Sequence, residues 1–203
     1  MAAAGTREAR YTVEPLEPRT WDAFAALAER HNGVWGGCWC VWFHPDGPER
    51  AELGNRGYKR LLVEQGRAHA ALVFDGALLD GAEAVAWCQY GPVGELPNIY
   101  HRKQVEAETA RVPDQRITCL FVDRRYRRGG VAEVAVRGAL ELIGRAGGGL
   151  VEAYPQDTAP GQKVSASFLY SGTRRTFERA GFRYERPKGK NHCVMTAVVA
   201  RGA

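Results

Sequence analysis

Residues 119–135 read CLFVDRRYRRGGVAEVA, and positions 124–130 pack four arginines and two glycines into seven residues. The segment before them is apolar, and the segment after them turns apolar again at a helical period. A strand that runs through a glycine-rich turn into a helix N-terminus is a place to bind an anion. The first backbone N–H groups of a helix have no partner inside it, and the aligned peptide dipoles put partial positive charge there. Glycine lets backbone come close to a ligand and takes up positive φ without strain. Arg124, Arg125, Arg127 and Arg128 add full charges whose forked guanidinium groups suit phosphate oxygens. Together these features describe a cradle for a diphosphate. The sequence has no GxxxxGK[ST] and no GxGxxG, which sets aside a P-loop and a dinucleotide fingerprint. A solvated basic turn would explain the arginines but not two glycines at the start of a helix.

Such a turn needs rigid elements on both sides. RITCLFV (116–122) is a continuous apolar run, predicted as a strand buried on both faces. Residues 129–146 predict an amphipathic helix: Val131, Val134, Ala135, Gly138, Leu142, Ile143 and Ala146 share one face, while Glu133–Arg137 and Glu141–Arg145 are i,i+4 pairs on the other. Gly147–Gly149 end it, and LVEAYP (150–155) predicts the next strand, which completes a parallel crossover. Upstream, the pattern predicts a strand at 11–16, a helix capped by Thr20 and running to His31, and a loop or short strand at 32–43 rich in glycine and tryptophan. A helix at 55–67 closed by Gly66 and an antiparallel hairpin of 68–76 with 84–93 follow. Segment 94–115 predicts loop with a short helical piece. Downstream, a polar loop to about 164 precedes a helix from near Gly172 to Gly181, and FRYERP and HCVMTAVVA finish the chain as strands. The fold class is α/β, a mixed, mostly antiparallel twisted sheet with a central parallel β-α-β crossover and helices on both faces. Residues 1–9 read as a disordered lead-in and 10–203 as one domain.

The bulk composition fits a soluble globular protein, with 45% hydrophobic and 25% charged residues in a chain of 203. No apolar run approaches membrane-spanning length, and the first residues lack the apolar core of a signal peptide. Five cysteines, an odd number, include three inside apolar segments (Cys88, Cys119, Cys193); this points to free thiols in a reducing cytoplasm. Cys38 and Cys40 are too closely spaced for a zinc ribbon, and no second pair completes a ligand set, so no metal is expected. The net charge of +5 and pI of about 9.1 favour polyanionic partners such as phosphates, CoA or RNA.

Arg127-Arg128-Gly129-Gly130-Val131-Ala132 fits the pattern [Q/R]-x-x-G-x-[G/A]. Set between a strand ending at Val122 and an amphipathic helix, it resembles motif A of the GCN5-related N-acetyltransferases (GNAT). TFERAGF (Thr176–Phe182) is similar to the later LYExxGF segment of that family, and the element order matches over about 20–200. The resemblance implies a GNAT-like fold and acetyl-CoA or another acyl-CoA as donor, without a metal. It implies direct acyl transfer to a small amine in a ternary complex. The pyrophosphate would then lie on Arg127, Arg128, Gly129, Gly130, Val131 and Ala132, and the pantetheine arm along the backbone of Leu120, Phe121 and Val122.

Many members use the tyrosine of LYExxGF to protonate the leaving thiolate. Here the position is Phe177, so the acid lies elsewhere or is absent. Tyr170, seven residues earlier, is the tyrosine hydroxyl on that segment, with a packing role as its alternative. Glu152 is the one acid inside an apolar strand and is the candidate base; strand alternation could equally turn it to solvent. Asp157, Tyr154 and His192 are lesser candidates, and His69 reads as structural. The Trp35–Phe43 stretch lies where related folds line the acceptor site. Trp39, Cys40 and Trp42 could form an aromatic wall, with Gln89 reaching it, or they could plug the core. An acyl-Cys40 route finds nothing nearby in the sequence to activate the thiol. Two further readings stay open: an aminoacyl-tRNA donor on the same fold, suited to Phe177, the basic charge and YERPKGKNH, and a non-catalytic module supported by Phe177 alone. A cytoplasmic monomer or homodimer with no membrane contact is expected.

Overall fold

The computed structural model describes residues 10–77, 82–157 and 166–202; the lead-in at 1–9 and the polar loop at 158–165 expected from the sequence lie outside them. Seven strands form one sheet: β1 (Tyr11–Pro15), β2 (His69–Asp75), β3 (Ala84–Pro92), β4 (Gln115–Val122), β5 (Gly149–Ala153), β6 (Arg183–Lys188) and β7 (His192–Val199). Their order is β1-β2-β3-β4-β5-β7-β6. Only β4 and β5 are parallel; the other neighbours run antiparallel. The helices are α1 (Trp21–Glu29), α2 (Pro48–Glu64), α3 (Arg102–Glu108), α4 (Val131–Arg145) and α5 (Arg174–Arg179), with 3-10 turns at Pro18–Thr20, Arg124–Tyr126 and Ala166–Ser171. The mixed sheet around a β4-α4-β5 crossover is the architecture that the hydrophobic pattern predicts.

Period-two alternation divides the buried side chains between two cores. Ala70, Leu72 and Phe74 of β2, Trp87 of β3, and Cys119 and Phe121 of β4 pack with Phe24 and Leu27 of α1 and with the 32–43 loop. Their neighbours Ala71, Val73, Cys88, Ile117 and Leu120 face the opposite way, onto Val131, Ala135, Val136, Ala139 and Ile143 of α4. Gly138 sits where α4 crosses β1. A Cβ there would come within 2.5 Å of Val13 Cγ1, so the close approach holds a residue that weakens a helix interior by about 1 kcal/mol relative to alanine.

The strand that matters most for a site is β4. It pairs with β5 only through Gln115, Arg116 and Ile117, opposite Val151, Glu152 and Ala153. On its other edge Gln89 faces Cys119 and Tyr90 faces Ile117, which leaves Thr118 as an extra residue in a bulge. A bulge bends its strand and sharpens the twist, and beyond it β4 separates from β5. The backbone of residues 118–122 therefore has no strand partner on the β5 side among the described residues.

Three segments depart from expectation. Helix α2 begins earlier, at Pro48, and is broken at Gly54, where φ is 64°. The last helix is short, capped by the Thr173 side chain, and is preceded by the unforeseen 3-10 turn at Ala166–Ser171. The 32–43 loop is not a strand. Asn32 to Gly37 all have positive φ, as do Trp39 and Cys40. Glycine and asparagine accept that conformation readily, whereas Val34 and Trp35 adopt it at a cost of about 1–2 kcal/mol each. Burial of Val34, Trp39, Cys40 and Val41 in the α1 core offsets that strain.

Candidate active site

Helix α4 starts from Gly130, whose φ is 84°, and Arg128 before it is also left-handed, at 64°. The N–H groups of Glu133 and Val134 reach Gly130 O at 3.0 and 3.3 Å. No side chain caps the helix, and the N–H groups of Val131 and Ala132 have no acceptor among the described residues. Arg127, Arg128 and Gly129 are exposed, so the helix end is open.

Glu133, the acid in the first turn of α4, pairs with Arg137 at 3.1 Å, and the carboxylate before the arginine turn is tied up elsewhere. Asp123, 1% exposed, accepts the Arg125 backbone N–H and guanidinium, each at 2.9 Å. It also lies 3.8 Å from Arg30 and 3.5 Å from His31 at the end of α1. Burial works against its charge, but the hydrogen bonds from Arg125, with His31 close by, outweigh it and hold the carboxyl well below the usual range. Asp123 thus ties the arginine turn to β4 and α1. Of the four arginines, Arg125 is occupied by Asp123 and Glu83, and Arg127 donates to Val122 O at 3.2 Å. Arg124 and Arg128 have no side-chain partner among the described residues.

Beside the helix end runs a groove of about 160 Å³. Leu120, Phe121 and Val122 of β4 form one side, Arg127 and Ala132 the helix end, and Leu169, Gly172, Thr173 and Thr176 the other side. Trp35 completes it. The sequence-predicted positions thus come together: five line the groove, and Arg128, Gly129, Gly130 and Val131 form the turn that enters it.

Trp35 also lines a second cavity, of about 660 Å³. Trp42, Phe43, Tyr100 and Tyr170 supply most of its aromatic surface, together with Cys38, Cys40, Cys119, Arg50 and His192. Neighbouring residues are divided between the two spaces: Leu120 and Leu169 line the groove, Cys119 and Tyr170 the cavity. The two spaces therefore meet across the free end of β4. Trp42 and Tyr100 stack with ring centroids 4.4 Å apart, and Tyr170 lies 6.1–6.4 Å from Tyr100, Phe43, Trp35 and His192. Burial, followed by the charges of Lys188 and His101, lowers His192 to about 4, so its imidazole is neutral at pH 7. Burial pushes the Tyr170 phenol up.

Cys40 and Cys119, both 1% exposed, approach to 2.6 Å. Burial and the neighbouring Cys119 raise the Cys40 thiol well above its ordinary value, which disfavours an acyl-Cys40 route. Near them Lys59 is fully enclosed. Its Nζ donates to Gln89 Oε1 at 2.6 Å and lies 3.3 Å from His44 Nε2, and Gln89 Nε2 donates to Thr118 Oγ1 at 3.1 Å. Desolvation lowers Lys59 to about 8, and desolvation followed by the Lys59 charge lowers His44 to about 2.

The other sequence-predicted residues are dispersed. Trp42 and Cys40 line the cavity, whereas Trp39 stacks on Trp21 in the core at 6.3 Å. The tryptophan loop is thus both core plug and cavity wall. Gln89 lies behind the cavity, bonded to Lys59 and Thr118. Glu152 is buried and accepts the Tyr154 hydroxyl; Arg116 and Lys188 act on the same tyrosine–glutamate pair. It lines neither space. Phe177 is buried against Phe182 in the α4 core, facing away from the cavity that Tyr170 lines. Tyr100 comes from an aperiodic loop and left no signal in the sequence. Lys59 did leave one, because it falls three and four residues before Leu62 and Val63 on the buried stripe of α2.

No family model matches the sequence, and no curated protein matches it. Solved structures do. A protein of the GNAT family from Desulfovibrio desulfuricans is similar over 94% of this chain and 99% of its own, at 16% identity and a TM-score of 0.52. A structure of histone acetyltransferase HPA2 and related acetyltransferase from Corynebacterium glutamicum covers 96% of this chain and 98% of its own, at 16% identity and a TM-score of 0.50. With β4 parting from β5 beside an open helix end, the chain has the fold of the GCN5-related N-acetyltransferases.

Proposed function

We propose that the protein is an acyl-CoA-dependent N-acyltransferase, with acetyl-CoA as donor and a small amine as acceptor, both bound when transfer occurs. One observation carries this reading: the unpartnered N–H groups of Val131 and Ala132 open into a groove that ends on the wall of a separate cavity. In this reading those amides, with Arg128 and Arg124, hold the pyrophosphate, and the unpaired backbone of residues 120–122 aligns the pantetheine arm. The fold likeness supports the same placement. The YERPKGKNH segment offers little free charge to a tRNA, since Arg186 pairs with Glu108 and Lys188 is buried over Tyr154. The acyl-CoA reading is therefore preferred.

Transfer needs a neutral amine, and the departing thiolate benefits from a proton. Tyr170 keeps its proton at neutral pH and lines the cavity beside the groove, so it is assigned as the acid. His192, neutral and on the same cavity, can accept the amine proton. Glu152, held by Tyr154 outside both spaces, is assigned no direct part.

Acetyl-CoA at a hundred times its Kd is expected to stabilise the protein by about 2.7 kcal/mol, which for a chain of this size raises Tm by roughly 5 °C or more. A scanning fluorimetry series with acetyl-, propionyl- and malonyl-CoA that moves Tm with none of them would overturn the assignment. Tyr170→Phe should lower kcat by about a hundredfold while keeping the acetyl-CoA shift. An unchanged kcat removes Tyr170 from the chemistry.

A further inference from the structure

We propose that the acceptor taken by the larger cavity is an aromatic amine whose nitrogen is uncharged at neutral pH, and not an alkylammonium. This rests on reading the cavity as the acceptor side of an acyltransferase and names the class of amine it receives.

Shape comes first. The volume of about 660 Å³ lies within the range typical of small-molecule sites. Trp35, Trp42, Phe43, Tyr100 and Tyr170 present rings on several sides. Tyr100 is 50% exposed and stacks on Trp42, so a flat ligand can enter along that pair. Stacking between such walls favours a planar ring system over a flexible chain.

Charge points the same way. Among the described residues that line the cavity none is Asp or Glu. Arg50 of the lining is ion-paired with Asp46 at 2.5 Å, so that pair carries little net charge. The positive group there with no carboxylate partner among the described residues is Lys59, enclosed near Cys40. Burial leaves His192 neutral and the Tyr170 and Cys40 protons in place, so the lining carries no negative charge to draw in a cation.

An alkylamine, with a pKa near that of lysine, is almost wholly protonated at pH 7. To react it must enter a cavity with no lining carboxylate among the described residues and the Lys59 charge close by, and give up its proton to His192, which burial has made a weak base. An aromatic amine delocalises its lone pair into the ring and is un-ionised at that pH. It needs no base before attack, and the proton shed during transfer can pass to His192. Aromatic cages elsewhere do hold cations by their ring faces, but the Lys59 charge, with no lining carboxylate among the described residues to offset it, opposes that use here.

The test uses three naphthalenes substituted at the same ring position. Tryptophan fluorescence quenching, at pH 7.4, is read for naphthol, a neutral and unreactive match for the amine, and for (aminomethyl)naphthalene, its cationic counterpart. Naphthol should bind at least tenfold tighter, and Trp42→Leu should weaken it about tenfold while leaving the acetyl-CoA thermal shift intact. Acetyl transfer, followed by mass spectrometry, should show kcat/KM at least tenfold higher for aminonaphthalene than for (aminomethyl)naphthalene. Equal or tighter binding of the cation, binding of benzyltrimethylammonium in preference to naphthol, or faster transfer to the alkylamine would each overturn the inference. Those results would leave the acyltransferase assignment standing, because the acetyl-CoA shift tests that separately.

Discussion

Replacing Gly130 by glutamate is expected to weaken acetyl-CoA binding by more than a hundredfold. Two effects add. Gly130 has a φ of 84°, and a side chain held in the left-handed region costs on the order of 1 kcal/mol. The larger effect is electrostatic. A carboxylate at the N-cap would take the free N–H groups of Val131 and Ala132 and set a negative charge where the diphosphate lies. Hydrogen bonds to a charged group contribute about 1.5–3 kcal/mol each, so losing two of them exceeds the roughly 2.8 kcal/mol that corresponds to a hundredfold in Kd. Gly130→Ala separates the backbone contribution, since it brings the strain without the charge, and it should weaken binding less than tenfold. Ala132→Glu separates the charge. An acid in the first turn of a helix is favourable to folding, so this variant should match or exceed the parent in Tm and still lose acetyl-CoA. Isothermal titration of all three decides the matter. If Ala132→Glu binds within about threefold of the parent, the helix end is not where the diphosphate sits, and the proposed function loses its main support.

The same helix end was legible in the sequence because independent signals agreed on it. A continuous apolar run gave a buried strand, a 3.6-residue period gave α4, and glycines marked the join; each constrains backbone directly. The groove residues Leu120, Phe121, Val122, Arg127 and Ala132 follow from that placement. The cavity was less legible. Its walls come from the 32–43 loop, the Tyr100 loop and the Ala166–Ser171 turn, and hydrophobic periodicity carries no information about segments without a repeating backbone. The tryptophan loop is left-handed over six residues, so the alternation that decides which strand side chains face inward does not apply to it. Asn32, Gly33, Gly36 and Gly37 accept that conformation readily, but in the sequence the glycines indicate only a loop or short strand, and nothing there says which tryptophan reaches the cavity. Phe177 shows the same limit in another way. The motif located the segment, yet the position expected from the resemblance to carry a tyrosine is Phe177, which packs on Phe182, and the tyrosine that lines the cavity lies seven residues earlier, beyond the turn at Gly172.

Acidification is expected to destabilise the protein steeply below pH 6.5, and much of the effect traces to His44. Its imidazole is 1% exposed, and burial together with the Lys59 ammonium lowers it from 6.5 to about 2. Below pH 6.5 the unfolded chain binds a proton at this residue and the folded chain does not, so stability must fall as pH falls. Each unit is worth about 1.4 kcal/mol, which gives a loss of roughly 3 kcal/mol by pH 4. His192, lowered to about 4, adds a loss of the same sign over the same window. Lys59 acts at the other end. Desolvation lowers it from 10.5 to about 8, so the unfolded state holds the extra proton between those values and stability rises with pH across them. The stability maximum should therefore lie on the alkaline side of neutrality. His44→Gln keeps a polar side chain within reach of Lys59 but cannot titrate. Urea midpoints taken from pH 7 to pH 4 should fall about half as steeply for this variant as for the parent, leaving the share due to His192. Parallel curves would show that His44 is protonated in the folded state. In that case two positive charges would lie side by side near Cys40 and Cys119, a pairing that only an unseen counter-charge could sustain.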